Sequence, residues 1–469
     1  MILYKEVFKY FDEICKIPHG SFNMDKISNY CVDFAKKNGL RYVCDDAKNV
    51  IIYKDGDNAK TPVILQGHID MVCQKTPDSN VDFETDGIEV VIDGDFIKAN
   101  GTTLGADNGI AVAMIMAILA SKDLSHPPIE AVFTTNEEVG MLGASALDVS
   151  LLKGKRMINL DSEEQDVLTV SCAGGSDFKI TVPKTTETVK GTKVEVTVKG
   201  LKGGHSGVEI DKGRVNANTL TARILNHLKD YSLIDINGGD KYNAIPVSNT
   251  FSVVAKNPEK FAEDIKEYEK IIKAEIKERE PDFTIGVEVQ EQGEFRVFDK
   301  ETSDRIKYML LTTPNGITDM SKVIPNLVET SLNLGVLKTE EDVIFMQYAL
   351  RSNKKTALDF LEERMVVFAE YNCCKWEKSG RYQPWEYKEN SPLRDLYKKV
   401  YKEKFNTEPK VEAIHAGLEC AVFSSSIEDL DCIAIGPTMF GVHTVEEKLS
   451  ISSTKEIFEL LCTVLEKLC

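Results

Sequence analysis

The sequence predicts an α/β fold, a mostly parallel sheet flanked by helices, with an inserted α+β lid domain, and three observations carry that expectation. First, short apolar runs end in polar residues at 61–72 (TPVILQGHIDMV), 129–138 (IEAVFTTNEE) and 155–164 (KRMINLDSEE). Continuous apolar runs of strand length are the pattern of strands covered on both faces, as in parallel sheets. Second, the segment between the first two, DNGIAVAMIMAILASKD (107–123), is long and apolar enough for a helix buried on most sides. Third, 469 residues exceed the size at which a single core keeps growing, so two domains are expected.

The elements follow in chain order. MILYKEVFKYFDEICKIPHG (1–20) is amphipathic and charged throughout. It lacks the uninterrupted apolar core of a secretory signal and reads as the first helix of the mature fold. Helices and buried strands then alternate to about 175, and in such sheets a ligand site lies beyond the carboxyl ends of the strands. From 176 the texture changes to alternating strands such as KVEVTVKG (193–200), the helical VNANTLTARILNHL (215–228) and a Lys/Glu-rich helical surface at 256–280. NLVETSLNLGVL (326–337) and DVIFMQYALRS (342–352) continue this second pattern. After RYQPWEYKENSPL (381–393) the buried α/β texture returns, with DCIAIGP (431–437) as another apolar strand. Residues 1–175 and 386–469 therefore form one domain, and 176–385 a lid inserted into it.

Composition narrows the function classes. The 42% hydrophobic and 28% charged residues are those of an ordinary globular chain, and no apolar run reaches the roughly 18 residues of a spanning helix. A formal charge of −18 disfavours nucleic acid and anionic membranes, which bind through surplus Lys and Arg. The expected partner is small. Eleven cysteines, an odd number with no CxxC pair, argue against a disulfide framework and for a reducing cytoplasm. Cys373 and Cys374 read as alternate burial in a strand rather than as a metal or redox site.

The chemistry-bearing residues cluster at strand ends. His68 and Asp70, two apart, leave a strand on the same face. An imidazole beside a carboxylate suits a metal ligand whose tautomer the carboxylate fixes. Asp107 lies in the glycine-rich GTTLGADNG (101–109), where an N-cap is the plain alternative. Glu137 and Glu138 follow a strand in TTNEEVGMLG (134–143); one can bind metal while its neighbour faces the substrate water. Asp161 ends the third strand, and His443 follows the last in IGPTMFGVHTVEEK (435–448). Glu163 and Glu164 read as surface charge. Each signal alone is bland. Together His68, Asp107, Glu138, Asp161 and His443 mix hard oxygen and borderline nitrogen donors, which suits zinc, manganese or cobalt better than calcium.

HIDMV, GADNG, NEEVG, NLDSEE and GVHT resemble the ordered motifs of the co-catalytic zinc metallopeptidases that include glutamate carboxypeptidase, aminoacylase, peptidase T and the aminoacyl-histidine dipeptidases. The resemblance covers almost the whole chain. LGADNGIAVA, SCAGGSD, GGHSG, YNAIP, HAGLEC and IGPT most resemble the aminoacyl-histidine (Xaa-His) branch. It implies that Asp107 bridges two divalent metal ions, zinc foremost, with His68 and Asp161 completing one site and Glu138 and His443 the other. Glu137 would be the general base and Asp70 the carboxylate behind His68. His205, in GLKGGHSG, would donate to the developing oxyanion, Asn243 and Arg351 would hold the substrate, and His415 would contact it, with Glu419 supporting the site. His19, His126 and His227 read as structural.

The function so implied is hydrolysis of unblocked dipeptides, of Xaa-His type and including β-alanyl-histidine, with domain closure during turnover. A tripeptidase or N-acyl amino acid hydrolase is the alternative of the same chemistry, and a non-catalytic peptide-binding protein the alternative of another class. Retention of Glu137 and of every ligand argues against the last. Related dipeptidases suggest a homodimer formed through the lid domain.

Overall fold

The computed structural model describes residues 4–57 and 61–469; the first three positions of the expected N-terminal helix lie outside the described residues. That helix runs Tyr4–Cys15 and buries Val7, Tyr10, Phe11 and Ile14, the three- and four-residue spacing of one helical face. The chain divides into two compact units. The first takes the described residues up to Cys172 with Trp385–Ala413 and Leu418–Cys469, and the second takes Ala173–Pro384 and Ile414–Gly417. The short return at 414–417 carries His415 into the second unit, which the change of sequence texture near 386 does not reveal.

In the first unit an eight-stranded sheet runs in the order Arg41–Cys44, Val50–Lys54, Ile129–Thr134, Val63–His68, Arg156–Asn159, Asp431–Ala434, Val167–Cys172, Lys410–Ile414. The middle four strands are parallel. They are the continuous apolar runs, and Val63–His68 and Ile129–Thr134 are buried along their whole length. Outside them the pairing turns antiparallel, and the edge strand Arg41–Cys44 is partly exposed. The sheet is thus parallel at its centre and mixed overall.

The helix Ala106–Ala120, buried except near its start and end, lies against this centre. Gly67 makes the approach possible: a Cβ there would stand 2.5 Å from Asn108 Oδ1 and 2.9 Å from the Ala111 Cβ. Asn108 then ties three segments together, accepting from the His68 backbone N–H at 3.2 Å and donating to the Leu160 carbonyl at 2.8 Å. A small sheet not anticipated from the sequence joins Val90–Asp93, Phe96–Ala99, Lys448–Ser450 and Met439–Phe440. Its strands are two to four residues long, too short for a readable alternation. It anchors both ends of the loop that carries His443.

The second unit is built on a nine-stranded sheet in which every described pairing is antiparallel. Its long strands include Thr186–Lys199, Thr284–Phe298, Val328–Thr339 and Val343–Ser352, and its helices include Ala217–His227, Pro258–Ile276, Lys300–Thr312 and Lys355–Tyr371. Alternate residues such as Val194, Val196 and Val198 enter a core with Ile224, Ile265, Ile306 and Leu361 from those helices.

All eleven thiols are free. Cys373 and Cys374 lie not in a strand but in the turn after Lys355–Tyr371, where Cys373 takes φ 54° and is exposed while Cys374 is buried. Among the described residues, no helix is long and apolar enough to cross a membrane.

Candidate metal centre

The ends of the central strands deliver the carboxylates and imidazoles to one place. His68 closes the strand Val63–His68, and its Nδ1 lies 3.0 Å from the Asp70 carbonyl and 3.6 Å from Asp70 Oδ1. That leaves Nε2 pointing at Asp107 Oδ1, 3.1 Å away, and Asp161 Oδ1, 3.6 Å away. On the other side of the same carboxylate, Asp107 Oδ2 stands 3.1 Å from His443 Nε2, which also lies 3.0 Å from Glu138 Oε1. One carboxylate therefore faces two imidazoles, one through each oxygen, and each imidazole Nε2 has one further acid beside it.

Asp107 does not cap its helix. Gly105 occupies the cap position, Asp107 and Asn108 depart from helical φ/ψ inside the first turn, and the Asp107 side chain is spent on the two histidines. His443 sits at φ 64°, in the left-handed region that a non-glycine residue enters at a cost, held there by tight turns from Gly441 to Thr444 and from Thr444 to Glu447.

Asp70 is buried and organises the two glutamates. Its Oδ1 accepts from the Glu137 backbone N–H at 3.0 Å and its Oδ2 from Glu138 N–H at 3.3 Å and from the Ser21 hydroxyl at 2.9 Å. Below them Glu419, fully buried, accepts from Gln66 and Thr134, and Gln66 is in turn held by Asn159.

The electrostatics of this cluster call for a cation. Among the described residues the ion pairs of Asp107, Glu138 and Asp161 run only to the two imidazoles. Burial pushes the Glu137 carboxyl well above the usual range; the His68 charge opposes that, and Asp161, Glu419 and Glu138 add to it. Burial likewise raises Asp161 to about 6. Burial opposes charge on Asp107 too, but hydrogen bonds with His443 and His68 outweigh it and hold that carboxyl well below the ordinary range. His443 is pushed up to about 11 by its contacts with Asp107 and Glu138. Donors bound at roughly 2.0–2.2 Å around a tetrahedral ion stand about 3.3–3.6 Å apart. The 3.6 Å separation of His68 and Asp161 falls in that shell, and the other three, at 3.0–3.1 Å, are a few tenths of an ångström shorter. His68, Asp107 and Glu138 also place donor atoms within 4.8 Å of one another.

One residue of the site escaped the sequence reading. Glu447 is buried, and its two oxygens accept from four successive backbone N–H groups, Leu104 at 2.7 Å, Gly105 at 3.1 Å, Ala106 at 2.9 Å and Asp107 at 3.3 Å. A single carboxylate four positions after His443 thus clamps the loop that presents Asp107. The only local hint was an acid soon after His443 in VEEK, indistinguishable by sequence from a solvated charge. Glu447→Ala leaves four N–H groups without their acceptor, and we expect a 10- to 100-fold weaker metal affinity, roughly what loss of a ligand-supporting group costs, read by competition with a fluorescent chelator.

In the second unit His205 and Arg351 meet. His205 Nδ1 accepts from the Gly207 and Val208 N–H groups at 3.3 and 3.2 Å, so the ring proton resides on Nε2, 3.5 Å from Arg351 Nη2. Two donors thereby face one spot, an arrangement that suits a shared anion. Burial, reinforced by Arg351, lowers the His205 pKa to about 4, so the imidazole is neutral near pH 7. The Arg351 fork is steadied by the Tyr382 hydroxyl at 2.9 Å. Asn243 precedes the strand Ala244–Ile245 that pairs with Gly204–His205, and its carbonyl accepts from Ser206 N–H at 2.9 Å. His415 departs from expectation. It is buried, with Nε2 2.7 Å from the Ser331 hydroxyl and Nδ1 3.1 Å from Asn353 Oδ1, so neither ring nitrogen is left for a substrate. It braces the strands that carry Ser331 and Arg351.

With this geometry in view, comparison with known proteins gives consistent matches. The model of peptidase family M20/M25/M40 matches residues 64–467. The chain is 37% identical to the cytosol non-specific dipeptidase of Escherichia coli (strain K12) over 98% of its own length and 96% of that protein. The crystal structure of aminoacylhistidine dipeptidase from Vibrio alginolyticus superposes with a TM-score of 0.90 at 36% identity, covering 98% of this chain and 96% of that one. The aminopeptidase PepT of Bacillus cereus shares the fold at a TM-score of 0.59 and 15% identity, covering 99% and 98% of the two chains.

Proposed function

The chain belongs to peptidase family M20/M25/M40, and from that premise we propose that it is a two-metal dipeptidase that cleaves unblocked dipeptides, Xaa-His among them. The observation that carries this reading is Asp107, whose two oxygens each face a different imidazole at 3.1 Å. In it, His68 and Asp161 would hold one divalent ion, Glu138 and His443 the other, and Asp107 would serve both. Two imidazoles among carboxylates suit zinc first, with manganese or cobalt as alternatives. Bound there, the pair would polarise the scissile carbonyl and ease deprotonation of water.

The chain's own groups do the rest. Glu137, held at its backbone by Asp70, takes the proton of the attacking water and returns it to the leaving amine. His205 Nε2–H donates to the carbonyl oxygen as charge develops, Arg351 holds the C-terminal carboxylate and Asn243 donates to the substrate backbone. Arg351→Ala is expected to lower kcat/KM about 10- to 100-fold, the cost of a charge-assisted hydrogen bond, without changing metal content. Arg351→Lys does not restore it, because an ammonium lacks the planar fork.

The experiment that tests the reading is a panel of Xaa-His, Xaa-Gly, tripeptide and N-acetylated substrates after loading with zinc, manganese or cobalt. Hydrolysis confined to free-amine dipeptides is expected; preference for N-acyl amino acids or tripeptides would move the assignment within the family. The cytosolic setting of the Escherichia coli relative and eleven free thiols support a cytoplasmic protein. A homodimer through the second unit is supported by exposed Tyr308, Leu311, Phe360, Val367 and Tyr371 on two of its helices. Glu363 and Arg364 lie in the same depression, so a two-fold copy could pair opposite charges. Sedimentation should give twice the mass of one chain.

A further inference from the structure

A cavity of about 600 Å³ in the first unit shares Glu138 with the metal centre. Met71, Val72, Cys73, Val81, Phe83 and Val139 supply its apolar wall, and its volume falls in the range of small-molecule sites, about 300–1,000 Å³. Asn80, Asp82 and Glu84 also line it, and two of its polar groups are engaged elsewhere. The Lys75 ammonium donates to the Val81 carbonyl at 2.7 Å, and the Ser21 hydroxyl to Asp70 at 2.9 Å. Cys73 is half-buried, and burial pushes its thiol up to about 11, so it presents a neutral sulfur. Two large apolar side chains next to this wall are left to water. Val139 is 41% exposed, and Phe22, directly after Ser21, is 73% exposed. Phe22 is held at φ 68° by a 2.6 Å hydrogen bond from its N–H to the Asn136 side chain, in the segment that leads to Glu137 and Glu138.

We propose that this cavity is the subsite for the side chain of the dipeptide's N-terminal residue, and that it selects large apolar side chains of the leucine, methionine and phenylalanine class. The inference rests on the dipeptidase reading. The N-terminal residue carries the scissile carbonyl, which must lie against the carboxylate cluster, and its side chain departs from the very next atom. A cavity walled by Glu138 is therefore within its reach. The greater part of the cavity lining is apolar, so it selects by size and apolarity, with the carboxylates of Asp82 and Glu84 at exposed positions of the same lining. One consequence separates substrates that share a C-terminal histidine: β-alanyl-histidine has no side chain to fill the cavity and is cleaved more slowly than Leu-His or Met-His.

The test uses the metal-loaded full chain and measures kcat/KM for Gly-, Ala-, Leu-, Met- and Phe-His and for Leu-Gly, Leu-Ala and Leu-Phe. The wild type should prefer Leu, Met and Phe over Gly at the N-terminal position by at least about tenfold, in line with burial of several methylenes. Val139→Trp, at an exposed position, should cost the bulky N-terminal residues at least about ten times more than glycine. Phe83→Ala, which widens the cavity, should shift preference toward Phe-His and serves if the tryptophan variant does not fold. Binding of a Leu-His isostere with a reduced peptide bond should weaken in the same order. Equal losses for all N-terminal residues, or losses that follow the C-terminal residue, would overturn the subsite. If the wild type cleaves no dipeptide at all, the dipeptidase reading itself fails.

Discussion

Glu137→Ala yields a chain that still binds two divalent ions and hydrolyses dipeptides about 10²- to 10⁴-fold more slowly, the span that a positioned general base contributes. The two halves of that result have separate structural causes. Metal content survives because Glu137 is not among the donors that approach the histidines; those contacts belong to Asp107, Glu138 and Asp161. The neighbouring ligand stays in place because Asp70 grips the backbone N–H groups of residues 137 and 138, not the Glu137 side chain. Activity is lost because, among the described residues, no other carboxylate is both free of the histidines and adjacent to Glu138. Glu419 is fully buried beneath the site and engaged by Gln66 and Thr134. Glu137→Gln should lose as much as the alanine variant, since shape is kept and only the proton acceptor is removed. Steady-state kinetics with elemental analysis of the same samples checks both halves. A variant that keeps more than about a tenth of wild-type kcat removes Glu137 from the role of base.

Asp107→Ala has the larger effect, because one side chain serves both imidazoles. Its removal takes the carboxylate partner from His68 at 3.1 Å and from His443 at 3.1 Å in a single step. Metal content should fall from two toward zero and hydrolysis to background. The fold should persist, since the Asp107 side chain takes no part in the apolar core and its backbone N–H keeps its bond to Glu447. Far-ultraviolet circular dichroism tests that persistence. Ligand linkage gives a second readout: an ion that binds only the native state raises Tm. Zinc should therefore raise the Tm of the wild type and leave that of Asp107→Ala unchanged. Asp107→Asn should also lose metal, because an amide offers one oxygen where two are used.

The features of the fold legible in the sequence were those set by local pattern. The continuous apolar runs at 63–68, 129–134 and 156–159 became the parallel centre of the sheet, because strands covered on both faces leave no room for alternation. The polar residues just past their ends converge for the same reason, parallel strands ending on one edge. What depends on distant partners was not legible. Asp107 at a helix start is indistinguishable by sequence from an N-cap; only the approach of His68, 39 positions earlier, and His443, 336 later, assigns its oxygens. Glu447 clamps the 104–107 loop across more than 340 residues of chain. The brief excursion of 414–417 into the second unit gives His415 to Ser331 and Asn353, a pairing that the phrase HAGLEC does not encode. The edge strand Arg41–Cys44 and the small sheet around His443 are built from strands too short or too exposed to carry a pattern.

The most direct test of the account is a titration of the chelator-stripped chain with a divalent ion, zinc first, while dipeptide hydrolysis is followed. The account predicts no hydrolysis by the stripped chain and a rise that reaches its plateau at two equivalents per chain. Full activity without added metal, or a plateau at one equivalent with no second ion bound, would contradict it.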